Sequence, residues 1–128
     1  MLYSLFIHLY VAAIRLASLW NAKARSWSAG RKDWRSGLRA IRNKAGDRPI
    51  LWVHCASLGE FEQGRPVIEA LRAQHPASFI LLTFFSPSGF EVRKDYPVAD
   101  AVCYLPADTP ANARYFVQTL QPALAIFV

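Results

Sequence analysis

Cysteine is scarce in this 128-residue chain. Cys55 and Cys103 lie far apart, and there is no Cys-x-x-Cys pair and no Cys/His cluster, so a metal site has no support. Both fall in or beside runs that read as strands, where buried free thiols are common, and they are expected to be inert and reduced in a cytosolic setting. Acidic residues are scarce in one region. Residues 21–48 hold nine Lys/Arg against only Asp33 and Asp47, whereas from Pro49 onward five basic residues face seven acidic ones. The formal charge of +6 therefore belongs to one short stretch beside an apolar N-terminus. That placement suits a phospholipid surface better than a nucleic-acid groove. The remainder also lacks the aromatic and basic interleaving of a base-stacking platform, so no nucleic-acid partner is expected. Finally, no positive charge precedes the N-terminal apolar run and no small-x-small cleavage site follows it, which disfavours a signal peptide.

What is present suffices for one modest domain, with 53% apolar residues to build a core. Leu2 to Trp20 is apolar apart from Ser4, His8, Arg15 and Ser18, and as a helix it would reach about 28 Å, close to the ~30 Å of a bilayer core. The four polar residues share one narrow stripe of the helical wheel. Such a helix lies in the interface or crosses at a tilt with Arg15 snorkelling, and the residues alone leave both open. If it crosses, the downstream basic residues put the rest on the cytoplasmic side. A core helix of a soluble protein is the competing reading, against which stand the adjoining basic run and the tryptophans Trp20 and Trp27. Residues 1–20 are thus expected as a membrane-anchor helix and 21–48 as a basic, headgroup-facing neck, partly helical from Asp33 to Lys44.

From residue 49 the pattern changes. Apolar, β-branched or aromatic runs at 50–54, 79–85, 101–105 and 123–128 read as buried strands. Residues 66–74 and 89–95 read as helices, and so does 110–120, where Asp108 or Thr109 caps and Pro110 occupies the first turn. Strands alternating with helices predict an α/β domain: a Rossmann-like parallel sheet with helices on both faces over 49–128. The sequence stops inside its last apolar run, so a fragment of a longer protein is expected.

Ligands of open parallel sheets collect at the carboxyl ends of strands. Those ends carry residues 54–60 after the first strand and 86–89 after the second, rich in small residues and hydroxyls that let backbone N–H groups approach a ligand. Glu60 is the only carboxylate in either loop, placed to accept a proton from an attacking hydroxyl. A structural reading competes with this one, because Ser57-x-x-Glu60 matches a capping box. Pro66 argues for a helix beginning nearer 61–65, which leaves Glu60 on the loop, since a start at Ser57 would put the proline in the third turn at a cost of ~3 kcal/mol. His54, at a strand end, reads as a satisfied core or rim histidine. His8 belongs to the polar stripe and His75 to a helix end.

The segment from Trp52 to Phe61 (WVHCASLGEF) resembles the H-x-x-S-x-G-E signature of bacterial Kdo transferases, which attach the sugar acid 3-deoxy-D-manno-octulosonic acid. Thr83 to Gly89 (TFFSPSG) is similar to that family's Ser/Thr-Pro-Ser/Thr-Gly loop after the second strand, and Tyr104 to Asp108 (YLPAD) to its Y-L-P-x-D segment. The apolar N-terminus followed by basic residues fits as well, so the resemblance covers essentially the whole chain.

The resemblance implies the N-terminal, acceptor-binding half of a GT-B glycosyltransferase. Such an enzyme moves Kdo from CMP-Kdo to a hydroxyl of a lipid A precursor (lipid IVA) with inversion, at the cytoplasmic face of the inner membrane, in lipopolysaccharide biosynthesis. It needs no metal or cofactor beyond the CMP-Kdo donor. Glu60 matches the family's catalytic base, and Ser57, Gly59, Ser86, Ser88 and Gly89 match loop positions that line the acceptor cleft. The family's second acidic segment and its CMP-binding domain are absent, so the fragment alone is expected to be inactive. The alternative from another class is a non-catalytic, membrane-tethered α/β module whose loops hold an anionic ligand.

Overall fold

A computed structural model describes all 128 residues. In chain order the elements are α1 (Leu2–Ala17), α2 (Ala22–Ala29), α3 (Trp34–Ala45), β1 (Ile50–Cys55), α4 (Leu58–Gln74), β2 (Phe79–Phe84), α5 (Pro87–Arg93), β3 (Ala101–Tyr104), α6 (Pro110–Leu120) and β4 (Leu124–Phe127). The four strands form one parallel sheet in the order β3-β2-β1-β4. The expected α/β class and parallel sheet are observed.

Strand periodicity explains why β1 and β2 read as continuous apolar runs, since helices cover both faces of the sheet. Ile50 and Trp52 of β1 and Phe79 and Leu81 of β2 point to one face, against Leu38 and Ala45 of α3 and Phe116 and Leu120 of α6. The alternate residues, Leu51, Val53 and Cys55 with Ile80, Leu82 and Phe84, point to the other face, against Phe61 and Ile68 of α4. The register sets Ile50 opposite Phe79 and His54 opposite Thr83. The two strand-end loops therefore emerge side by side.

Several boundaries differ from expectation, each for a packing reason. The basic stretch is no free neck. Its expected helix from 33 to 44 exists as α3, and Leu38 and Ala45 are buried in the sheet core while Trp27 of α2 is buried beside it. Arg35, Arg39 and Arg42 flank that buried stripe, so the charge count reports the outer face and hides the inner one. Gly46 ends α3 at φ 58°, a conformation that suits glycine.

α4 begins at Leu58, with Ser57 at its N-cap, and Pro66 lies inside it. The sequence argument for a later start, with Glu60 left on the loop, is thereby corrected: Glu60 sits in the first helical turn. The proline removes the bond to the Glu62 carbonyl at ~3 kcal/mol. Complete burial of Phe61 and Ile68, at roughly 1.5–3 kcal/mol each, offsets that cost.

α1 has 16 residues, about 24 Å of helix, and no helix is long and apolar enough to cross a membrane. None of its residues is buried. Ser4, Ile7, Val11, Ile14 and Ser18 are half-covered along one side, while Leu2, Phe6, Leu9, Leu16 and Leu19 are mostly exposed. The expected polar stripe is thus split: Ser4 and Ser18 face the protein, and His8 and Arg15 are exposed.

Candidate functional site

The loops after β1 and β2 are tied together by one carbonyl. Ala56 O accepts the Ser86 N–H at 2.8 Å and the Phe85 N–H at 3.3 Å. Gly89 permits the close fit, since a Cβ there would lie 2.5 Å from the Phe84 ring and 3.1 Å from Leu58 N. Ser86 caps α5, its Oγ accepting the Ser88 N–H at 3.3 Å and lying 2.7 Å from Ser88 Oγ, with Pro87 in the first turn. Ser57, Gly59, Glu60, Ser86, Ser88 and Gly89 are therefore brought together at the carboxyl end of the sheet, as expected from position.

Glu60 sits in the first turn of α4, where a carboxylate is favoured by the helix dipole. The Ser57 hydroxyl donates to Glu60 Oε2, while Oε1 makes no hydrogen bond within the chain. The contact is side chain to side chain. The Ser57 side chain does not reach the helix N–H groups and the Glu60 carboxylate does not accept from the Ser57 N–H, so neither bond of a capping box is formed. Glu60 is half-buried, with one oxygen held and one available to a proton donor.

The third motif serves the neighbouring edge. Tyr104 stacks on Phe90 at 4.3 Å, and the Leu105 N–H continues the sheet by donating to Phe84 O at 2.8 Å. Asp108 accepts from the Tyr3 hydroxyl of α1 at 2.5 Å, and Thr109 caps α6 through its Oγ1.

Sequence reasoning assigned no role to Arg31, which organises this region. Its guanidinium donates to Leu105 O at 2.9 Å, Phe85 O at 2.8 Å and Trp27 O at 3.2 Å. It also lies 3.9 Å from the Trp27 ring centre and under 5 Å from those of Phe85 and Tyr104. Burial pushes its pKa down to about 10, and no carboxylate pairs with it. Gly30 lets the Tyr104 ring pack close beside it, since a Cβ there would run into that ring.

The largest cleft, about 1060 Å3, does not touch Glu60. It runs between α1, α2 and the start of α6, where His8, Arg15, Arg25, Arg31 and Lys32 share the wall with Leu16, Leu19 and Trp27, and no acidic residue lines it. A smaller one of about 280 Å3 reaches Phe85, Ser86 and Pro87 from Tyr10, Ile14 and Lys23. The path from the apolar helix to the β2 loop is thus apolar-walled with basic groups along it. Burial raises the thiols of Cys55 to about 11 and Cys103 to about 12, in keeping with inert roles.

Residues 31–128 match the family model described as 3-deoxy-D-manno-octulosonic-acid transferase (kdotransferase). The chain is 38% identical over 79 residues to the 3-deoxy-D-manno-octulosonic acid transferase of Aquifex aeolicus, an overlap covering 61% of this chain and 22% of that protein. It is 35% identical over 78 residues to the enzyme of the same name from Haemophilus influenzae, covering 59% and 18%. For the one from Chlamydia pneumoniae the figures are 31% over 84 residues, 64% and 19%. The chain spans about a fifth of the length of these relatives.

Proposed function

This chain belongs to the 3-deoxy-D-manno-octulosonic acid (Kdo) transferase family, and on that premise we propose that it forms the acceptor-binding part of a Kdo glycosyltransferase of lipopolysaccharide biosynthesis. The donor on this reading is CMP-Kdo, held mainly by the other half of a GT-B enzyme. The acceptor is a sugar hydroxyl of a lipid A precursor of the lipid IVA type. The acceptor oxygen attacks the anomeric carbon of Kdo, the bond to the CMP phosphate breaks with inversion, and Glu60 takes the hydroxyl proton. No metal or further cofactor takes part, and these 128 residues are inactive without the donor-binding half.

One observation carries the assignment of Glu60: its carboxylate is held by Ser57 through one oxygen, leaves the other free, and stands beside the β2 loop at the carboxyl end of the sheet. The lipid side of the reading is supported by α1 and the cleft beneath it. An apolar helix with Leu2, Phe6, Leu9, Leu19 and Trp20 exposed, beside an acid-free wall of basic groups, suits an interface of phosphorylated lipid. We therefore place α1 in the plane of the inner membrane at its cytoplasmic face, with its apolar side among the acyl chains.

The test is Glu60→Gln in the full-length polypeptide. Kdo transfer is expected to fall by at least about 100-fold, with CMP-Kdo binding and vesicle association unchanged. Retained transfer sinks the assignment. The Ser57–Glu60 side-chain contact favours a second reading, in which Glu60 only braces the start of α4. That reading predicts a lowered melting temperature with transfer intact.

A further inference from the structure

The end of β1 holds a chain of polar groups that the transfer step leaves unused. Trp52, His54 and Thr83 lie on one face of the sheet, His54 and Thr83 as register partners. The Trp52 indole N–H donates to Thr83 Oγ1 at 2.9 Å, and His54 Nδ1 lies 2.9 Å from the same oxygen. An indole N–H only donates, so Thr83 accepts that bond and must still place its own hydrogen. Thr83 is fully buried, and His54 Nδ1 is the one acceptor its hydroxyl meets. If Nδ1 carried the proton, both neighbours would donate to Thr83 and its hydroxyl hydrogen would be stranded in the core. Nδ1 is therefore the acceptor, and the ring proton sits on Nε2.

Further observations give that N–H a task. Burial lowers the His54 pKa and Arg31 lowers it further, against the Thr83 backbone and the Glu60 charge, which raise it, so the ring is neutral at pH 7. His54 is the next-to-last residue of β1, whose end leads through Ala56 and Ser57 into the first turn of α4, where Glu60 stands. Phe127 of β4 flanks the ring with centroids 5.5 Å apart, limiting its rotation. Nε2 makes no hydrogen bond within the chain, yet it is not among the enclosed, unpartnered polar atoms, so it keeps an opening.

We propose that His54 is a fixed, neutral hydrogen-bond donor, held as the Nε2–H tautomer by the Trp52–Thr83 pair, and that this N–H binds an oxygen of the carbohydrate brought to Glu60. His54 contacts substrate, and Thr83 and Trp52 are positioning residues acting through it. The inference rests on the reading of the Glu60 loop as the reaction centre, but its first arm does not depend on activity.

That arm is a 15N–1H correlation spectrum of the imidazole in the full-length polypeptide without substrate. Nε2 is expected at the protonated nitrogen position and Nδ1 at the unprotonated one. Thr83→Ser keeps this pattern, and Thr83→Val loses it. A proton on Nδ1, or an even tautomer mixture in the unsubstituted protein, overturns the proposal. The second arm is kinetic. His54→Leu is expected to lower kcat/KM by about tenfold or more, the loss of one hydrogen bond, and His54→Gln, whose amide N–H replaces Nε2–H, restores part of it. Unchanged kcat/KM in a folded His54→Leu protein overturns the substrate contact. Retained transfer in Glu60→Gln would instead refute the base assignment and leave the tautomer result standing.

Discussion

Arg31→Ala offers the sharpest test of whether the basic stretch is part of the domain. The substitution strands three carbonyls that now share one charged fork: Leu105 O at the end of β3, Phe85 O at the end of β2, and Trp27 O in α2. The cleft at Arg31 admits water, so each stranded carbonyl is charged at the low end, ~1 kcal/mol. Loss of the cation from the Trp27 face, at 3.9 Å, adds roughly 0.5–1 kcal/mol. Relief of the buried charge offsets part of this sum. The net expectation is a destabilisation of about 3 kcal/mol. At a urea slope of about 2 kcal/mol/M that lowers the unfolding midpoint by about 1.5 M. Arg31→Lys should recover roughly half, since an ammonium lacks the fork that reaches several carbonyls. Equilibrium urea denaturation followed by tryptophan fluorescence makes the measurement, with Trp27 reporting release of α2. A midpoint within about 0.3 M of the parent for Arg31→Ala would refute the argument and return residues 21–31 to the status of a loose tether.

At the opposite end of the sheet, Asp100 accepts from Ile80 N–H and Arg72 and lies 3.7 Å from Arg48. Burial raises its pKa, but these partners outweigh burial and hold the carboxyl below the usual range. Its stabilisation is therefore present above the unfolded value near 4 and lost as pH falls through the folded one. Asp100→Asn should cost about 1–2 kcal/mol at pH 7 and far less at pH 3, compared by urea melts at both; an equal loss at both would be inconsistent with a charged role. Gly89→Ala should cost roughly 1–3 kcal/mol, because its Cβ would press on the Phe84 ring and the Leu58 backbone. Gly37→Ala, with nothing within 4 Å in mid-helix, should stabilise by up to about 1 kcal/mol, and thermal melts separate the two. With thiol pKa values of about 11 and 12, Cys55 and Cys103 should resist a disulfide reagent at pH 8 until the protein is unfolded. Rapid labelling of the native state would contradict the burial of Cys55 and the raised pKa of both thiols.

Much of the α/β part was legible from local pattern. The four strands fall within a residue or two of the apolar runs, and β1 and β2, covered on both faces, carry almost only apolar side chains for that reason. α6 spans 110–120 as its Thr109-Pro110 start implies. The start of α4 was misread because a local rule, the cost of an internal proline, was outweighed by distant contacts of Phe61 and Ile68. The packing of the basic stretch was not legible because its charge hides Leu38, Ala45 and Trp27, three buried residues spread over two helices. The position of Glu60 and the Ser/Gly loops at the strand ends was legible from the apolar runs that precede them. Arg31, Thr83 and Trp52 were not, since nothing local distinguishes an arginine on aromatic rings from one in water.

By itself the sequence determined the alternation of strands and helices, the strand-end loops at the carboxyl edge of the sheet and the one carboxylate they carry, because these follow from side-chain periodicity and caps within a few residues. Only the tertiary structure decided that the basic stretch packs as part of the domain, that Glu60 is held by Ser57, and that His54 bonds Thr83. Those outcomes depend on which residues, far apart in the chain, meet across the sheet, and burial there changes the energy of a charge or a lone pair more than any local preference does.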